Sequence, residues 1–233
     1  MKLMQFLKFK IRDFKEYKAL IKSGKKPFKE YGLTLFTGRQ GGGKTMTLVW
    51  EAERYREKYP DLYICSNFGY IHQNEPLTSL ADIPNAVLRA RELKKIGVLI
   101  LWDEIQNDFD SFSKVNKDVL RVVTQQRKQA IKILGTSQVF TRVSKALREQ
   151  TYDVAICRTF AGRYTRAKFY DADEFSHNID KPEAKQQMFS KRRLSFIQTD
   201  ELRELYDSFA VIKTLEQQAI EEKSKPVTQV IIQ

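Results

Sequence analysis

Residues 35–47 read LFTGRQGGGKTMT, and four of the chain's ten glycines fall inside this stretch. The spacing Gly38-x-x-x-x-Gly43-Lys44-Thr45 fits G-x-x-x-x-G-K-[ST], a loop whose backbone N–H groups wrap around a phosphate. Wrapping of that kind needs positive φ values and an approach free of side chains, which glycine supplies at least cost. The candidate nucleotide-binding residues are therefore Gly38, Arg39, Gln40, Gly41, Gly42, Gly43, Lys44, Thr45 and Met46. Lys44 is expected to set its ammonium between β- and γ-phosphates. Thr45 is expected to offer its hydroxyl to Mg²⁺ at a helix N-terminus, where negative charge is favoured. The flanks agree with this reading: LTLFTG (33–38) is a short apolar strand, and Leu48, Val49, Ala52 and Tyr55 mark a helix that ends before Pro60.

A phosphate loop requires a second element, a buried strand that ends in an acid for the magnesium. VLILWDE (98–104) meets the requirement, with Asp103 as the expected metal-side carboxylate and Thr45 as the other metal-site residue. Glu104, next along, is placed to orient and deprotonate an attacking water, the arrangement of ATP hydrolysis rather than of phosphate transfer to a small molecule. A later apolar strand, IKILGTSQ (131–138), ends in Thr136-Ser137-Gln138, and Gln138 is expected beside the γ-phosphate. Arg121, Arg127, Arg142 and Arg148 surround that strand in sequence. Any of them fits a finger supplied to a neighbouring subunit, and Arg127 is preferred.

Strand-like segments at 62–67, 98–104, 131–138 and 154–162 alternate with helical ones, which implies a mostly parallel sheet with helices on both faces. YTRAKFYDAD (164–173) alternates in the manner of a returning hairpin arm. Residues 66–97 read as loop-rich, 175–193 as polar and exposed, and 200–223 as partly helical. The expected organisation is a basic N-terminal helix (1–31), a nucleotide-binding domain (32–213) and a C-terminal tail (214–233). Cys65 and Cys157 lie within apolar runs and read as buried thiols; with two histidines far apart, no zinc spacing assembles.

The quoted motifs together resemble a known group. GRQGGGKT, VLILWDEIQ, RKQAIKILGTSQ (127–138) and a hairpin after the fifth strand are similar to the FtsK–HerA group of P-loop ATPases. Within that group they look most like the zonular occludens toxin-like, filamentous-phage assembly ATPases. SNF (66–68) matches a family strand that ends in Asn, and LYDSFAVIK (205–213) matches a later Tyr-Asp motif; the resemblance spans about residues 33–213. It implies an α/β P-loop NTPase fold of the RecA/ASCE kind with a C-terminal β-hairpin, and ATP and Mg²⁺ as cofactors. It also implies a ring-forming homo-oligomer, a hexamer among the possibilities, that moves phage DNA at the inner membrane. The chain departs from the family in having no apolar run long enough to span a bilayer.

Charge adds a second theme. The chain carries 41 Lys+Arg against 29 Asp+Glu, net +12, and residues 1–31 hold ten of the bases and three of the acids. Leu3, Phe6, Leu7, Ile11, Phe14, Tyr17 and Ile21 fall at helical spacing among those lysines. Residues 1–24 are expected to lie on an anionic membrane surface or a membrane-protein partner, to offer lysines to DNA phosphates, or to pack on the core with a solvated charged face. The location that follows is cytoplasmic, including the cytoplasmic face of the inner membrane. DNA is the expected partner of a motor. The alternative functions are a nucleotide-gated assembly or scaffold protein with slow hydrolysis, and a small-molecule kinase.

Overall fold

The computed structural model describes residues 2–22, 24, 27–108, 117–179, 181 and 188–206. The proposed 214–233 tail and the 207–223 part of the expected helix lie outside these. Eight strands form one sheet: β1 (Gly32–Thr37), β2 (Tyr63–Ser66), β3 (Glu75–Pro76), β4 (Val98–Trp102), β5 (Ile131–Ser137), β6 (Thr151–Phe160), β7 (Tyr164–Asp171) and β8 (Arg192–Ile197). Their spatial order is β3-β2-β4-β5-β1-β6-β7-β8. The six strands from β3 to β6 run parallel; β7 and β8 turn back antiparallel, one after the other. The expected mostly parallel α/β sheet and the hairpin after the fifth long strand are both present.

Both faces of the parallel strands are covered, so these strands read as continuous apolar runs rather than alternating ones. Helix α2 (Lys44–Lys58) lies on one face, where Leu48, Val49 and Ala52 join Phe36, Leu99, Leu101 and Leu134 in one buried cluster. The opposite face holds Leu33, Leu35, Ile100 and Ile133. There α3 (Ile83–Glu92) contributes Ile83, Ala86, Val87 and Ala90, and α4 (Lys117–Thr124) contributes Val122 and Val123. Cys65 and Cys157 are buried free thiols, as expected, and burial pushes both up to about 12.

Three elements depart from the sequence reading. The loop-rich 66–97 stretch contains α3, with Pro84 in its first turn and the Asp82 carboxylate accepting from the Thr78 and Ser79 N–H groups. It also contains the two-residue β3. The polar 175–193 stretch ends by entering β8, a strand the sequence reading did not contain. Helix α1 (Lys2–Lys22) forms as expected, but it does not pack on the core: Leu3 is 71% exposed and Phe14 57%, with Leu7 and Ile11 also exposed. That removes the core-packing reading for this chain by itself. No described helix is long and apolar enough to cross a membrane.

Candidate nucleotide site

Strand β5 sits between β1 and β4, so the carboxyl ends of all three strands converge beside the glycine loop. In open α/β sheets this end is where ligands bind. The loop runs from Gly38 to the start of α2. Gly41 and Gly43 hold φ of 72° and 78°, the left-handed region that a side chain resists. Gly43 also allows a close approach, since a Cβ there would stand 2.4 Å from Thr159 Oγ1 on β6. The Gly42 N–H donates to Arg39 O at 2.9 Å and closes the loop on itself. Gly43 takes the N-cap position of α2 without any side-chain cap, so the first N–H groups of the helix are left for an anion. Lys44 is buried and folds back over the loop, its Nζ 3.4 Å from Arg39 O.

The acidic side is built around Asp103. Its carboxylate accepts from Thr45 Oγ1, at 3.0 Å to Oδ1 and 3.2 Å to Oδ2, and from Thr136 Oγ1 at 2.5 Å. Asn67, at the end of β2, clamps its backbone: the Asp103 N–H donates to Asn67 Oδ1 at 2.7 Å, and Asn67 Nδ2 donates to Asp103 O at 3.0 Å. Burial raises the Asp103 pKa above the ordinary 3.8; the Thr136 and Thr45 hydroxyls work against that rise, and Glu104 adds to it. A buried carboxylate beside the first hydroxyl of a phosphate-loop helix suits Mg²⁺, which binds through one or two protein oxygens and completes its shell with phosphate and water. Among the described residues no group of three or more His, Cys, Asp or Glu side chains is placed to hold a metal ion. Thr45 and Asp103 are the residues that would hold the ion, whose chemistry there is to neutralise phosphate charge.

Glu104 adopts φ 51° and ψ 48°, left-handed for a residue with a side chain. Such a conformation costs about 1–3 kcal/mol and persists only where the surroundings impose it. Here the Glu104 N–H donates to Thr136 Oγ1 at 2.8 Å, so a single threonine on β5 orients both neighbouring acids. The Glu104 carboxylate accepts from Gln138 Nε2 at 3.0 Å and from Asn107 Nδ2 at 3.2 Å. A cleft of about 380 Å³ adjoins these groups and the loop; Gln198, Arg203 and Tyr206 line its far wall.

The fold is that of a P-loop NTPase. The N-terminal domain of zonular occludens toxin from Neisseria meningitidis superimposes with a TM-score of 0.52 at 18% identity, over 76% of this chain and 98% of that one. A genome packaging NTPase, B204 from Sulfolobus turreted icosahedral virus 2 in complex with ATP-gammaS, gives 0.47 at 13% identity, over 71% and 92%. The cytoplasmic domain of the Thermomonospora curvata type VII secretion ATPase EccC gives 0.45 at 13%, over 62% of this chain and 23% of that one. No family model matches the chain, and no curated protein does. The resemblance to zonular occludens toxin-like P-loop proteins, read from the motifs, thus holds at the level of fold.

The structure brings Gly38–Met46, Asp103, Glu104 and Gln138 together, but it does not bring Arg127 to them. Arg127 lies at the opposite end of the sheet, its guanidinium 5.8 Å from the ring of Tyr31, the residue that precedes β1. Among the described residues the arginine that lines this chain's cleft is Arg203, on the short helix Asp200–Arg203; its guanidinium donates to Gln198 Oε1 at 2.9 Å and to Gly162 O at 2.6 Å. Thr136, Gln198 and Arg203 are site residues that the sequence reading did not assign. Asn67 and Tyr206 belong to the two family-like stretches SNF and LYDSFAVIK, and the structure gives both a place in the site.

One consequence concerns stability. A carboxylate whose folded pKa is raised loses stability as pH climbs through that value, so above it the ionised Asp103 destabilises the ligand-free fold. Asp103→Asn keeps an Oδ1 to accept from both threonines and removes the charge. The ligand-free Asp103→Asn protein is expected to melt higher than the parent at pH 7, with the gap closing as pH falls from the raised pKa toward the ordinary 3.8. Mg²⁺-dependent nucleotide turnover should disappear. A lower melting temperature at pH 7 would show that the charge is well compensated without a metal.

Proposed function

We propose that the protein hydrolyses ATP and works as a motor on the DNA of a phage or mobile element, in translocation, packaging or virion assembly. The observation that carries the reading is the Gln138–Glu104 pair, 3.0 Å apart and one residue from the Thr45–Asp103 contact. This gives a general base, a group beside it to hold water or sense phosphate, and a phosphate loop in one cleft. The fold and the net charge of +12 support it further. We read the working form as a ring of identical subunits on the cytoplasmic side of a membrane. The exposed α1, apolar along one face and lysine-rich along the other, meets an anionic lipid surface or a membrane-protein partner.

ATP turnover measured with and without single- and double-stranded DNA, alongside oligomer mass with an ATP analogue, tests the motor reading. DNA-stimulated turnover in a ring is the expected result. Turnover indifferent to both nucleic acids would favour the nucleotide-gated scaffold. Removing residues 1–24 is expected to leave turnover intact, abolish co-sedimentation with phosphatidylserine vesicles, and remove the salt-sensitive binding seen with the full chain. Vesicle binding that survives the deletion would rule out α1 as the membrane contact.

A further inference from the structure

The antiparallel end of the sheet has two faces with different surroundings. On the face shared with α2, Thr159 and Thr165 hydrogen-bond to each other at 2.9 Å, Gln198 Nε2 donates to Thr165 at 2.8 Å, and Gly43 of the phosphate loop packs against both threonines. The opposite face is covered at its inner end by the helix Ala172–Asn178, whose Ala172 and Phe175 are buried beside Val154 and Tyr170, and is exposed beyond it. Alternation brings Arg158 and Phe160 of β6, Tyr164, Arg166 and Lys168 of β7, and Arg193, Ser195 and Ile197 of β8 onto it, and all eight are exposed. No carboxylate stands among them.

Two features of this face ask for a partner. Arg158 is directly opposite Arg166 in the ladder, and Lys168 is directly opposite Arg193. Like charges in register destabilise a strand pair. Among the described residues none of the four cations has a carboxylate within ion-pair distance; only Arg193 has a hydrogen bond, to Ser190 Oγ at 2.9 Å. Beside them Phe160 and Tyr164 expose 48% and 42% of their surface, their ring centroids 6.4 Å apart at the tip of the hairpin. A hollow of about 230 Å³ continues from Phe160 past the arginines to Tyr170.

We propose that this face of β6–β7–β8 is a platform for single-stranded nucleic acid, with phosphates on Arg158, Arg166, Lys168 and Arg193 and bases stacked on Phe160 and Tyr164. Charge selects a polyanion. The rings select a single strand over a duplex, whose base faces are already stacked on one another. The proposal rests on the motor reading and deepens it, because the strands that bear the platform press their other face on Gly43. A bound strand that shifts the hairpin is felt directly at the phosphate loop.

Two double variants of the full chain test it by fluorescence anisotropy with labelled oligo-dT, a duplex of equal length, and phosphatidylserine vesicles. The parent is expected to bind oligo-dT more tightly than duplex. Arg158→Ser/Arg166→Ser should weaken oligo-dT binding roughly tenfold or more and flatten the log–log salt dependence by about 1.4, two phosphate contacts at about 0.7 each. Phe160→Ala/Tyr164→Ala should weaken it roughly tenfold or more with the salt slope unchanged. Both variants, altered only at exposed positions, should keep the DNA-free ATP turnover of the parent, and the arginine variant, relieved of like charges in register, should melt no lower than the parent.

Variants that bind oligo-dT like the parent would overturn the platform and leave the motor reading intact. Duplex bound as tightly as oligo-dT, and untouched by the aromatic variant, would overturn the single-strand assignment. Vesicle binding lost in the arginine variant, with oligo-dT binding unchanged, would reassign the face to lipid. A parent that turns over ATP but binds no nucleic acid would sink the platform together with the DNA part of the motor reading. Absence of ATP turnover would sink the hydrolytic part alone.

Discussion

Replacing Glu104 by glutamine is expected to lower ATP turnover by about a hundredfold or more while leaving ATP affinity within a few-fold of the parent. The substitution keeps the side-chain length; Gln138 Nε2 and Asn107 Nδ2 donate to different Glu104 oxygens, so one keeps an amide oxygen to donate to while the other amide turns its own oxygen toward the new NH2 group. It also keeps the left-handed backbone, because the N–H of residue 104 still donates to Thr136 Oγ1. What disappears is the lone pair that accepts a proton from water. Lys44→Ala is the contrast. Among the described residues Lys44 is the lysine that lines the cleft, and its loss should remove tight ATP binding and turnover together. A binding measurement with labelled ATP beside a phosphate-release assay separates the two variants. Parent-like turnover in Glu104→Gln would remove the general base from Glu104 and leave the phosphate loop as assigned.

Most of this site could be read from the sequence because its chemistry is local. A phosphate loop needs contiguous glycines, and a buried parallel strand announces itself by an unbroken apolar run, so Gly38–Thr45, Asp103 and Glu104 stand out in the chain. Residues that act through tertiary contact do not. Thr136 looks like any strand threonine; its importance comes from β5 lying between β1 and β4, which the order of elements in sequence does not state. Arg203 enters the cleft only because β8 and the turn after it fold back past β7, and β8 was itself illegible. RRLSFI begins with two exposed arginines, and only Phe196 is fully turned inward. Helix α3 was hidden differently. Its buried stripe includes two alanines, and exposed Leu88 and Leu93 blur the period. Arg127 failed to reach this chain's cleft because closeness in sequence to strand β5 placed it at the strand's start, the wrong end for phosphate chemistry within one subunit.

That placement sets up the second large effect, which concerns the source of the catalytic arginine. Arg203 lines the cleft of its own chain and is held by Gln198 Oε1 and Gly162 O, so Arg203→Ala is expected to lower turnover by about a thousandfold at every protein concentration. Arg127 has no route to the cleft it shares a chain with. It can act only on a neighbour's nucleotide, so Arg127→Ala should be silent in a monomer and damaging in a ring. Mixing variants separates the two. Arg127→Ala and Lys44→Ala chains each lack one half of a shared site, and a mixed ring restores interfaces at which an intact loop meets an intact Arg127. Arg203→Ala mixed with Lys44→Ala restores nothing, since both defects lie in the same cleft and each chain still lacks a complete one. Phosphate release from mixtures shown by mass to co-assemble is the measurement. Recovery with Arg127→Ala would assign the finger to Arg127 in trans, whereas recovery with Arg203→Ala would mean that this arginine also serves a neighbour. Parent-like turnover in Arg127→Ala rings, with Arg203→Ala inactive in every mixture, would leave the charge of the transferring phosphate to a residue that β8 carries into its own site.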